Sequence, residues 1–475
     1  MRSTRRQMLR TVSTACIAAP ALMAERPRTD IRIEKISYSY QDFKYRAPYK
    51  FGGRAVDRVT LLNVDCIVRT RDGKTAKGFG SMSMGNVWAF PSRTLTYDQT
   101  LDAMKALAGE INRATGDYHE YGHPIDINVA LEPSYLKAAA AVAAQQKLSE
   151  PIPKLCTLVT ASPFDAAIHD AFGKVHGRST YQTYGPDLLP NDLGHYLGLE
   201  YKGLFLNQFI LPKPVARMPV FHSVGALDAL TDADVTHRID DGLPETLQQW
   251  IAYNGITHIK IKLNGDNLNW DVDRVANIHR ATTETQEKRK VSHWVYSLDF
   301  NERCRNVEYL LQFIRDLEAK SPGAFKRIQY IEQPTARDLA ANRQNVMFKA
   351  AKLKPVVIDE SLTGLDALML AREMGYTGVA LKACKGQTQA MLLAAAGQKL
   401  KMFLCVQDLT CPGASLIQSA GIAAHVPGIA GLEANAREYV PVANKGWEDR
   451  FPGIFKFTDG EMRTGTLTGL GLGAV

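Results

Sequence analysis

The sequence predicts an α/β protein with a closed barrel of parallel strands in its C-terminal half and a smaller α+β unit in its N-terminal half. From about residue 218 onward, short apolar strands alternate with amphipathic helices, a pattern typical of parallel sheets. Eight strands follow this alternation, which is the number that closes such a sheet into a barrel. No Gly-x-Gly-x-x-Gly motif follows an early strand, which argues against a doubly wound open sheet.

The composition is that of an ordinary globular protein. The 475 residues are 45% hydrophobic and 22% charged, and this length favours two or more structural units. The sequence contains no run of about 18 apolar residues, so no membrane span is predicted. The formal net charge is +8, but four of these charges are arginines among residues 1–24. The remaining chain has only a few more basic than acidic residues and no long basic block, so nucleic-acid binding is not expected.

Residues 1–24 have the features of an export signal. Arg5 and Arg6 precede a short apolar stretch (residues 11–23), and small residues around position 24 offer a cleavage site. The pair resembles a twin-arginine signal, which exports proteins that are already folded. We therefore expect a periplasmic mature protein that starts near Glu25. The alternative is a basic start followed by an ordinary helix.

The cysteines are scattered and form no Cys-x-x-Cys pair, so a zinc ribbon is not expected. Folding in the cytoplasm before export would leave their thiols free even in an exported protein. The seven residues are Cys16, Cys66, Cys156, Cys304, Cys384, Cys405 and Cys411.

The N-terminal half, residues 25–175, is predicted to be α+β. Two stretches rich in β-branched and aromatic residues predict strands, and Asp72-Gly73 after the second predicts a hairpin turn. Alanine-rich or amphipathic stretches predict three helices, the last of which begins at Pro163. The predicted strands are 31–39 and 60–71, and the predicted helices are 97–113, 136–147 and 163–174.

The C-terminal half, residues 218–440, is predicted to be the barrel. A linker without any recognisable motif (176–217) precedes it, and a segment that returns to the N-terminal unit (441–475) follows it. Amphipathic helices are predicted between the strands, for example over 307–319, 367–374 and 388–400. The eight predicted strands are 219–224, 258–263, 294–299, 328–332, 356–359, 379–382, 403–406 and 430–433.

Three acidic residues end consecutive strands of the predicted barrel. They are Asp299, Glu332 and Asp359, and they end the third, fourth and fifth strands. Because chemistry in a βα barrel lies at the carboxyl ends of the strands, these side chains are expected to be neighbours at one mouth. Like charges repel unless a cation binds, and oxygen-only ligands favour Mg²⁺, or Mn²⁺, over zinc.

Two lysines face one another across this predicted metal. Lys262 ends the second strand and Lys382 ends the sixth, and these two strands are opposite in a ring of eight. One lysine could remove the α-proton of a carboxylate bound to the metal, which would hold the resulting enediolate, while the other returns a proton to the opposite face. Lys260, the metal and desolvation are all expected to lower the pKa of Lys262.

Short motifs around these residues resemble the enolase superfamily, and within it the muconate-lactonizing-enzyme subgroup, which includes dipeptide epimerases. The matching motifs are Lys260-Ile261-Lys262, Asp299-Phe300-Asn301, Ile331-Glu332-Gln333-Pro334, Asp359-Glu360-Ser361, Leu381-Lys382-Ala383-Cys384-Lys385-Gly386 and Ala167-Ile168-His169-Asp170-Ala171-Phe172-Gly173-Lys174.

The resemblance covers nearly all of the mature chain. It implies a (β/α)7β TIM-like barrel with an N-terminal α+β capping domain and one Mg²⁺. It also implies that Asp299, Glu332 and Asp359 are the metal ligands. Lys262 and Lys382 would be the acid/base pair, assisted by Lys260. Members of this family often form homo-oligomers.

The same resemblance leaves the reaction open. Two opposed lysines favour an epimerase or racemase acting on a small carboxylate, but a cycloisomerase fits as well. A sugar-acid dehydratase is an alternative, although that branch uses a histidine on the seventh strand, where this chain has Gln407 and Asp408. The other alternative is a binding protein that keeps the fold without turnover. Gln387 and Asp408 depart from the common pattern of the subgroup.

Substrate contacts are expected from the cap and from the strand ends. Two cap segments are interpreted as loops, 45–56 with its Gly-Gly pair and 85–92 with two aromatic residues. Such loops can form a mobile lid that excludes water. Arg54 could pair with a second carboxylate of the substrate, and Trp88 could cover it. Asn301 and Asp408 are the expected contacts from the barrel.

Overall fold

The computed structural model describes residues 29–474, and the predicted export signal lies outside this range. The described chain forms an antiparallel sheet with helices packed on it and an eight-stranded parallel barrel. Within residues 29–474, no helix is both long enough and apolar enough to cross a membrane.

The N-terminal sheet contains three antiparallel strands in the order β1-β2-β3, which are Ile31–Phe51, Arg54–Thr70 and Thr75–Ser83. Helix α4 (Lys154–Val175) packs closely against this sheet at two glycines, where a Cβ atom at Gly78 or Gly80 would overlap the helix backbone. Cap helix α2 begins with a capping box formed by Thr96 and Gln99. The helices of this half are α1 (Asn86–Ala89), α2 (Tyr97–Gly116), α3 (Pro124–Gln145) and α4 (Lys154–Val175).

The barrel contains eight parallel strands, β4 to β11, in sequence order, and β11 pairs with β4 to close the ring. Its buried strands are short and rich in Val, Ile and Leu, as is typical of parallel sheets covered by helices. The strands are β4 (Met218–Val224), β5 (His258–Lys262), β6 (Val295–Asp299), β7 (Ile328–Glu332), β8 (Val356–Ile358), β9 (Gly378–Leu381), β10 (Phe403–Val406) and β11 (Ile429–Glu433).

At least one helix lies in each of the seven gaps between barrel strands, which is the (β/α)7β arrangement. Each of the eight strands begins and ends within one residue of its predicted bounds. The helices after the cap are α5 (Leu193–Leu197), α6 (Leu247–Asn254), α7 (Leu268–Arg289), α8 (Val307–Lys320), α9 (Pro322–Arg327), α10 (Phe348–Ala351), α11 (Leu365–Glu373), α12 (Gln387–Lys399), α13 (Ala414–His425), α14 (Ala436–Tyr439), α15 (Trp447–Arg450) and α16 (Pro452–Phe455).

The C-terminal residues contact both halves of the molecule. Strand β12 (Glu461–Met462) pairs antiparallel with β4 of the barrel. The backbone N–H of Leu472 donates to Asp170 of α4 at 2.8 Å, and the N–H of Thr180 donates to the carbonyl of Gly471 at 2.8 Å. The segment after residue 440 therefore joins cap and barrel, while the exact domain boundaries at 175, 217 and 440 stay predictions.

Several local predictions for the N-terminal half were wrong. Residues 45–56 are not a loop, because β1 and β2 continue to a tight hairpin at Gly52 and Gly53, which have φ of 53° and 76°. Helices α3 and α4 begin at Pro124 and Lys154 rather than at residue 136 and Pro163, and the predicted loop 85–92 contains helix α1. The predicted linker 176–217 contains α5 and packs on the barrel through the N–H of Leu211, which donates to the carbonyl of His425, and its assignment as a linker stays a prediction.

Candidate active site

The residues predicted from the sequence meet at the carboxyl ends of the barrel strands. Lys262, Asp299 and Glu332 are the last residues of β5, β6 and β7, while Asp359 and Lys382 directly follow β8 and β9. All five are at most 5% exposed. Since side chains alternate along a strand, each strand places its last polar residue in the mouth and its aliphatic residues in the helix layer.

Lys260 lies beneath this mouth and is completely buried. Its Nζ atom lies 2.8 Å from Glu332 Oε1 and 2.9 Å from Glu433 Oε2. It also lies 3.1 Å from Asp299 Oδ2 and donates to the amide oxygen of Gln407. Three carboxylates thus share this one ammonium group, which neutralises part of their charge inside the barrel.

Lys262 forms an ion pair with Asp299, whose Oδ2 lies 2.6 Å from the lysine Nζ. The other oxygen of Asp299 accepts from the backbone N–H of Asn301 at 2.8 Å, which fixes the carboxylate. The ring of Phe51, at the tip of the cap hairpin, has its centre 5.9 Å from Lys262 Nζ. The cap therefore covers this lysine with an aromatic side chain.

Lys382 forms an ion pair with Asp359, with 2.9 Å between Nζ and Oδ2. Lys385 lies 3.2 Å from the other oxygen of the same carboxylate and donates to the carbonyl of Asp359 at 2.6 Å. The Trp88 ring covers Lys382, with its centre 4.0 Å from Nζ. This distance is that of a cation–π contact.

Glu360 holds Trp88 in this position. Its Oε1 accepts from the indole Nε1–H at 2.9 Å and from Asn301 Nδ2 at 3.1 Å, while its Oε2 is buried without a hydrogen-bond partner. Burial, followed by the charge of Asp359, raises the pKa of Glu360 to about 7. Glu360, which was not selected from the sequence, thus hydrogen-bonds to both Trp88 and Asn301, two of the predicted substrate contacts.

The lysines are more basic than the sequence suggested. Burial, the largest single cause, lowers the pKa of Lys262, but the charges of Asp299, Glu433 and Glu332 together outweigh burial and raise this pKa. Burial is also the largest single cause acting on Lys382, but Asp359 together with other acidic groups nearby outweighs burial and raises the pKa of this lysine. Burial and the charge of Lys260 do lower the pKa of Lys262 as expected, but the surrounding carboxylates reverse the net direction.

Asp408 lies in the mouth and is buried, but its oxygens are engaged by backbone groups. Oδ1 accepts from the N–H groups of Leu409 and Cys411, each at 2.8 Å, and Oδ2 accepts from Asn435 at 3.1 Å. Burial, followed by the charge of Glu433, raises the pKa of Asp408 to about 6. This carboxyl shapes the loop after β10, and direct contact with substrate stays a prediction.

The three predicted metal ligands are adjacent but point at lysines. Among residues 29–474, no group of three or more His, Cys, Asp or Glu side chains is arranged as a metal site. Two observations nevertheless fit Mg²⁺. The donors are oxygens only, and Glu332 Oε2 is buried without a partner. Burial, followed by the charge of Asp299, raises the pKa of Glu332 well above its usual value, so this cluster needs additional positive charge to be fully ionised.

Two cavities meet at the mouth. The first, here called the inner cavity, has a volume of about 30 Å³, and its lining contains both Lys262 and Lys382. The second, here called the vestibule, has a volume of about 490 Å³. The inner cavity is lined by Tyr49, Phe51, Trp88, Lys262, Asn301, Lys382, Asp408, Leu409, Thr410, Glu433 and Asn435. The vestibule is lined by Phe51, Gly52, Arg54, Val87, Trp88, Pro91, Ser92, Arg93, Asn301, Glu302, Arg303, Cys304, Arg305, Ala336, Arg337 and Glu360.

Arg54 lies in the vestibule and not in the inner cavity, and it donates to the backbone carbonyl of Ser92. Two other cavities do not open on the paired lysines. One of about 370 Å³ lies between cap helices and α11–α12, and one of about 310 Å³ lies between the cap hairpin and α6.

Strained backbone conformations occur directly after two of the site strands. Asn301, Glu302 and Gln333 have φ of 42°, 62° and 28°, a left-handed conformation that residues other than glycine rarely adopt. Asn301 tolerates it best of the three. These turns direct the chain away from the mouth directly after β6 and β7, which leaves Asp299 and Glu332 facing inward.

Sequence reasoning missed four residues of this site. Glu433 ends the last barrel strand, so the same strand-end rule could have found it. Glu360 and Lys385 lie within motifs that were recognised, yet their contacts with Trp88 and Asp359 cross between elements distant in sequence. Tyr49 hydrogen-bonds to Ser223 of β4 at 2.9 Å, and no sequence signal indicates this contact.

The fold and the site together define a class, which is a capped βα barrel with buried lysines and carboxylates at its mouth. Residues 242–474 match the family described as "Enolase C-terminal domain-like". No curated protein matches this chain.

Solved structures with the same fold cover nearly all of the chain. Muconate lactonizing enzyme from Pseudomonas fluorescens, complexed with muconolactone, has a TM-score of 0.61 and 18% identity, over 94% of this chain and 96% of its own. The substrate-liganded L-Ala-D/L-Glu epimerase from Bacillus subtilis has a TM-score of 0.60 and 16% identity, over 94% and 99%.

An enolase from Bradyrhizobium, complexed with magnesium and mandelic acid, has a TM-score of 0.58 and 15% identity, over 94% of this chain and 96% of its own. At these identities the likeness concerns the fold. The family match of residues 242–474 and the shared fold confirm the resemblance to the enolase superfamily seen in the sequence motifs.

Proposed function

We propose that the protein is a Mg²⁺-dependent enzyme that removes the α-proton of a small carboxylate substrate, as an epimerase, a racemase or a cycloisomerase. One observation carries this proposal. Lys262 ends β5 and Lys382 directly follows β9, two strands on opposite sides of the eight-stranded ring, and both lysines line the same inner cavity. A substrate carbon placed between them could lose a proton to one face and receive a proton on the other.

The lysines act as general acid and base in this proposal. In their ion-paired state both are protonated, since the carboxylates raise their pKa. Each must release its carboxylate partner before it can accept a proton. A base must also reach the substrate hydrogen within hydrogen-bond distance, and both Nζ atoms belong to side chains that line the cavity.

Asp299, Glu332 and Asp359 are the residues that would hold Mg²⁺, with Mn²⁺ as a possible substitute. A bound Mg²⁺ supplies positive charge that stabilises the substrate carboxylate as negative charge develops on it. Lys260 has a different role, since it lies beneath the carboxylates and keeps them in place. It therefore positions the metal ligands rather than the substrate.

The cap closes the inner cavity with aromatic side chains. Tyr49, Phe51 and Trp88 lie over it, and Trp88 is 5% exposed. Their rings exclude water, which strengthens every charge interaction inside the cavity. This arrangement suits a reaction in which a weakly acidic carbon–hydrogen bond is broken.

Incubation in D₂O with a panel of carboxylates tests the proposal. The panel contains dipeptides, N-acyl amino acids and lactones, and deuterium at the α-carbon is measured by NMR and mass spectrometry. We expect incorporation that requires Mg²⁺ and stops when a chelator removes it. Absence of exchange with every compound, in a protein that binds them, would instead favour a binding protein on this fold.

We also propose that the protein acts in the periplasm after twin-arginine export. The six cysteines within residues 29–474 are all free and buried, as expected for a chain that folds before export. Replacing Arg5 and Arg6 with lysine should leave the protein in the cytoplasm, as measured by cell fractionation. Unchanged export of that double variant would exclude the twin-arginine route.

A further inference from the structure

The two cavities differ greatly in size although they share a wall. The inner cavity of about 30 Å³ has room for only the reacting end of a molecule, whereas the vestibule measures about 490 Å³. Phe51, Trp88 and Asn301 line both cavities. A substrate whose reacting carbon lies between the lysines must therefore extend past these three side chains into the vestibule.

The vestibule is strongly cationic. Five arginines line it against two glutamates, Glu302 and Glu360. Two of the arginines are neutralised, since Arg337 pairs with Glu302 at 2.5 Å and Arg303 pairs with Asp266 at 2.9 Å. The other three are exposed and form no ion pair with an acidic side chain within residues 29–474. They are Arg54, Arg93 and Arg305.

One further donor in the vestibule lacks a partner. The guanidinium of Arg337 donates to Glu302 and to the backbone carbonyl of Trp88, yet its Nη1 atom is buried and without a hydrogen-bond partner. A buried donor left unpaired costs free energy, and an acceptor group on a ligand would remove that cost. The vestibule therefore combines open positive charge with an unsatisfied donor.

We propose that the vestibule is a binding subsite for a multiply charged anionic group of the substrate, remote from the carboxylate that reacts. The chemical class is a phosphate ester or a cluster of two or more carboxylates. Guanidinium groups suit both, because their planar N–H donors pair with such oxygens two at a time. This inference rests on the proposed function for the position of the reacting carbon, but the anion subsite can be tested without turnover.

Calorimetric titration of the metal-free protein with simple anions provides that test. The probes are inorganic pyrophosphate and tricarballylate, and acetate serves as the singly charged comparison. We expect the two multivalent anions to bind at least about tenfold more tightly than acetate. The double variant R93Q/R305Q should lose about tenfold or more of that affinity, because each arginine supplies a charge-assisted contact. Salt should weaken binding, since the charges are open to solvent.

The control variant is R280Q, which removes the same charge from exposed Arg280 on α7, outside the vestibule lining. It should bind both anions as the unmodified protein does, and circular dichroism should show that all variants are folded. R93Q and R305Q alone should give intermediate affinities. Tighter binding of pyrophosphate than of tricarballylate would identify a phosphate subsite, and the reverse order a polycarboxylate subsite.

Three outcomes would overturn the subsite. The first is an affinity that R93Q/R305Q leaves unchanged, and the second is binding of the multivalent anions no tighter than that of acetate. The third is an equal loss in R280Q, which would show attraction to the net charge alone. None of these results would affect the proposed function, because the D₂O exchange experiment reports on the lysines and not on the vestibule.

Discussion

The two sides of the inner cavity are built alike but are not neutralised alike. On one side, Lys262 shares Asp299 with a second lysine, Lys260, and lies beneath Phe51. On the other side, Lys382 shares Asp359 with Lys385 and lies beneath Trp88. Each side thus has a lysine in the cavity, a supporting lysine, a shared carboxylate and an aromatic cover from the cap.

The difference lies in the supporting lysines. Lys260 contacts three carboxylates, which raise its pKa well above the usual value although burial opposes them. Lys385 forms an ion pair with one carboxylate within residues 29–474, that of Asp359, and burial lowers its pKa. The Lys262 side is therefore rich in negative charge, whereas two ammonium groups on the Lys382 side share one carboxylate. The similar geometry predicts similar chemistry for both faces of a substrate, and the unequal charge predicts unequal responses to mutation.

Substitution of Glu332 should have the largest effect on the exchange rate. This residue ends β7, which lies between β6 with Asp299 and β8 with Asp359. Replacing it with Gln removes a charge from the proposed metal site while nearly keeping the shape. Exchange of both epimers should fall together, by about 10³ or more, as measured by α-deuterium incorporation. The exposed substitution E318Q on α8 is the control. A variant E332Q that keeps metal affinity and rate would contradict the ligand assignment.

Replacing either lysine should affect proton transfer on one face of the substrate's α-carbon only. K262A and K382A should each abolish epimerisation, because epimerisation needs both lysines. Each variant should also exchange the α-hydrogen on the face of the missing lysine about 10² to 10⁴ times more slowly. Each variant should still exchange the α-hydrogen of one epimer, and the two should retain opposite epimers. NMR of each pure epimer in D₂O measures this. Retention of the same epimer by both variants would favour a one-base elimination or cycloisomerisation.

The supporting lysines should differ in their effect on stability. K260M leaves three buried carboxylates without their common partner and should lower the free energy of unfolding by about 3–5 kcal/mol. K385M should cost about 1–3 kcal/mol, because Asp359 keeps Lys382. Urea denaturation in metal-free buffer gives both values, with exposed K349M as the control. Equal losses of unfolding free energy in K260M and K385M would contradict the proposed difference in charge between the two sides of the cavity.

The aromatic covers should give the smallest effects. W88F keeps a ring over Lys382 but loses the hydrogen bond to Glu360, so the exchange that depends on Lys382 should slow by about tenfold. F51L removes a weaker contact near Lys262 and should slow the opposite exchange by about threefold. Rates for each epimer at saturating substrate provide the comparison, and each variant serves as the control for the other. Identical effects on both epimers would show that the cap acts on the cavity as a whole.

The barrel and the strand-end residues could be predicted because a simple periodicity specifies them. Parallel buried strands are continuous apolar runs, and the polar residue that ends each run must lie at the mouth. Asp299, Glu332 and Lys262 were found in this way, and so were the strand bounds. The same rule applied to β11 would also have found Glu433.

The cap and the charge pairing could not be predicted in the same way. The pair Gly52-Gly53 is typical of both a loop and a tight hairpin, and only the pairing of β1 with β2 decides between them. Pro163 is typical of a helix start, yet α4 continues through it because the helix is buried on both sides. The pKa of each lysine depends on which carboxylate it meets across the barrel, and sequence spacing carries no information on that contact.

The left-handed turns after β6 and β7 limit how this protein can evolve. A β-branched residue at position 301, 302 or 333 would add strain of about 1–3 kcal/mol to a fold whose total stability is on the order of 5–15 kcal/mol. Substitutions of exposed residues such as Arg93 and Arg305 typically cost within about 0.5 kcal/mol. Substitutions are therefore tolerated among the exposed arginines of the vestibule and disfavoured at the turns after β6 and β7. Descendants of this chain should change their substrates before they change the reaction that they catalyse.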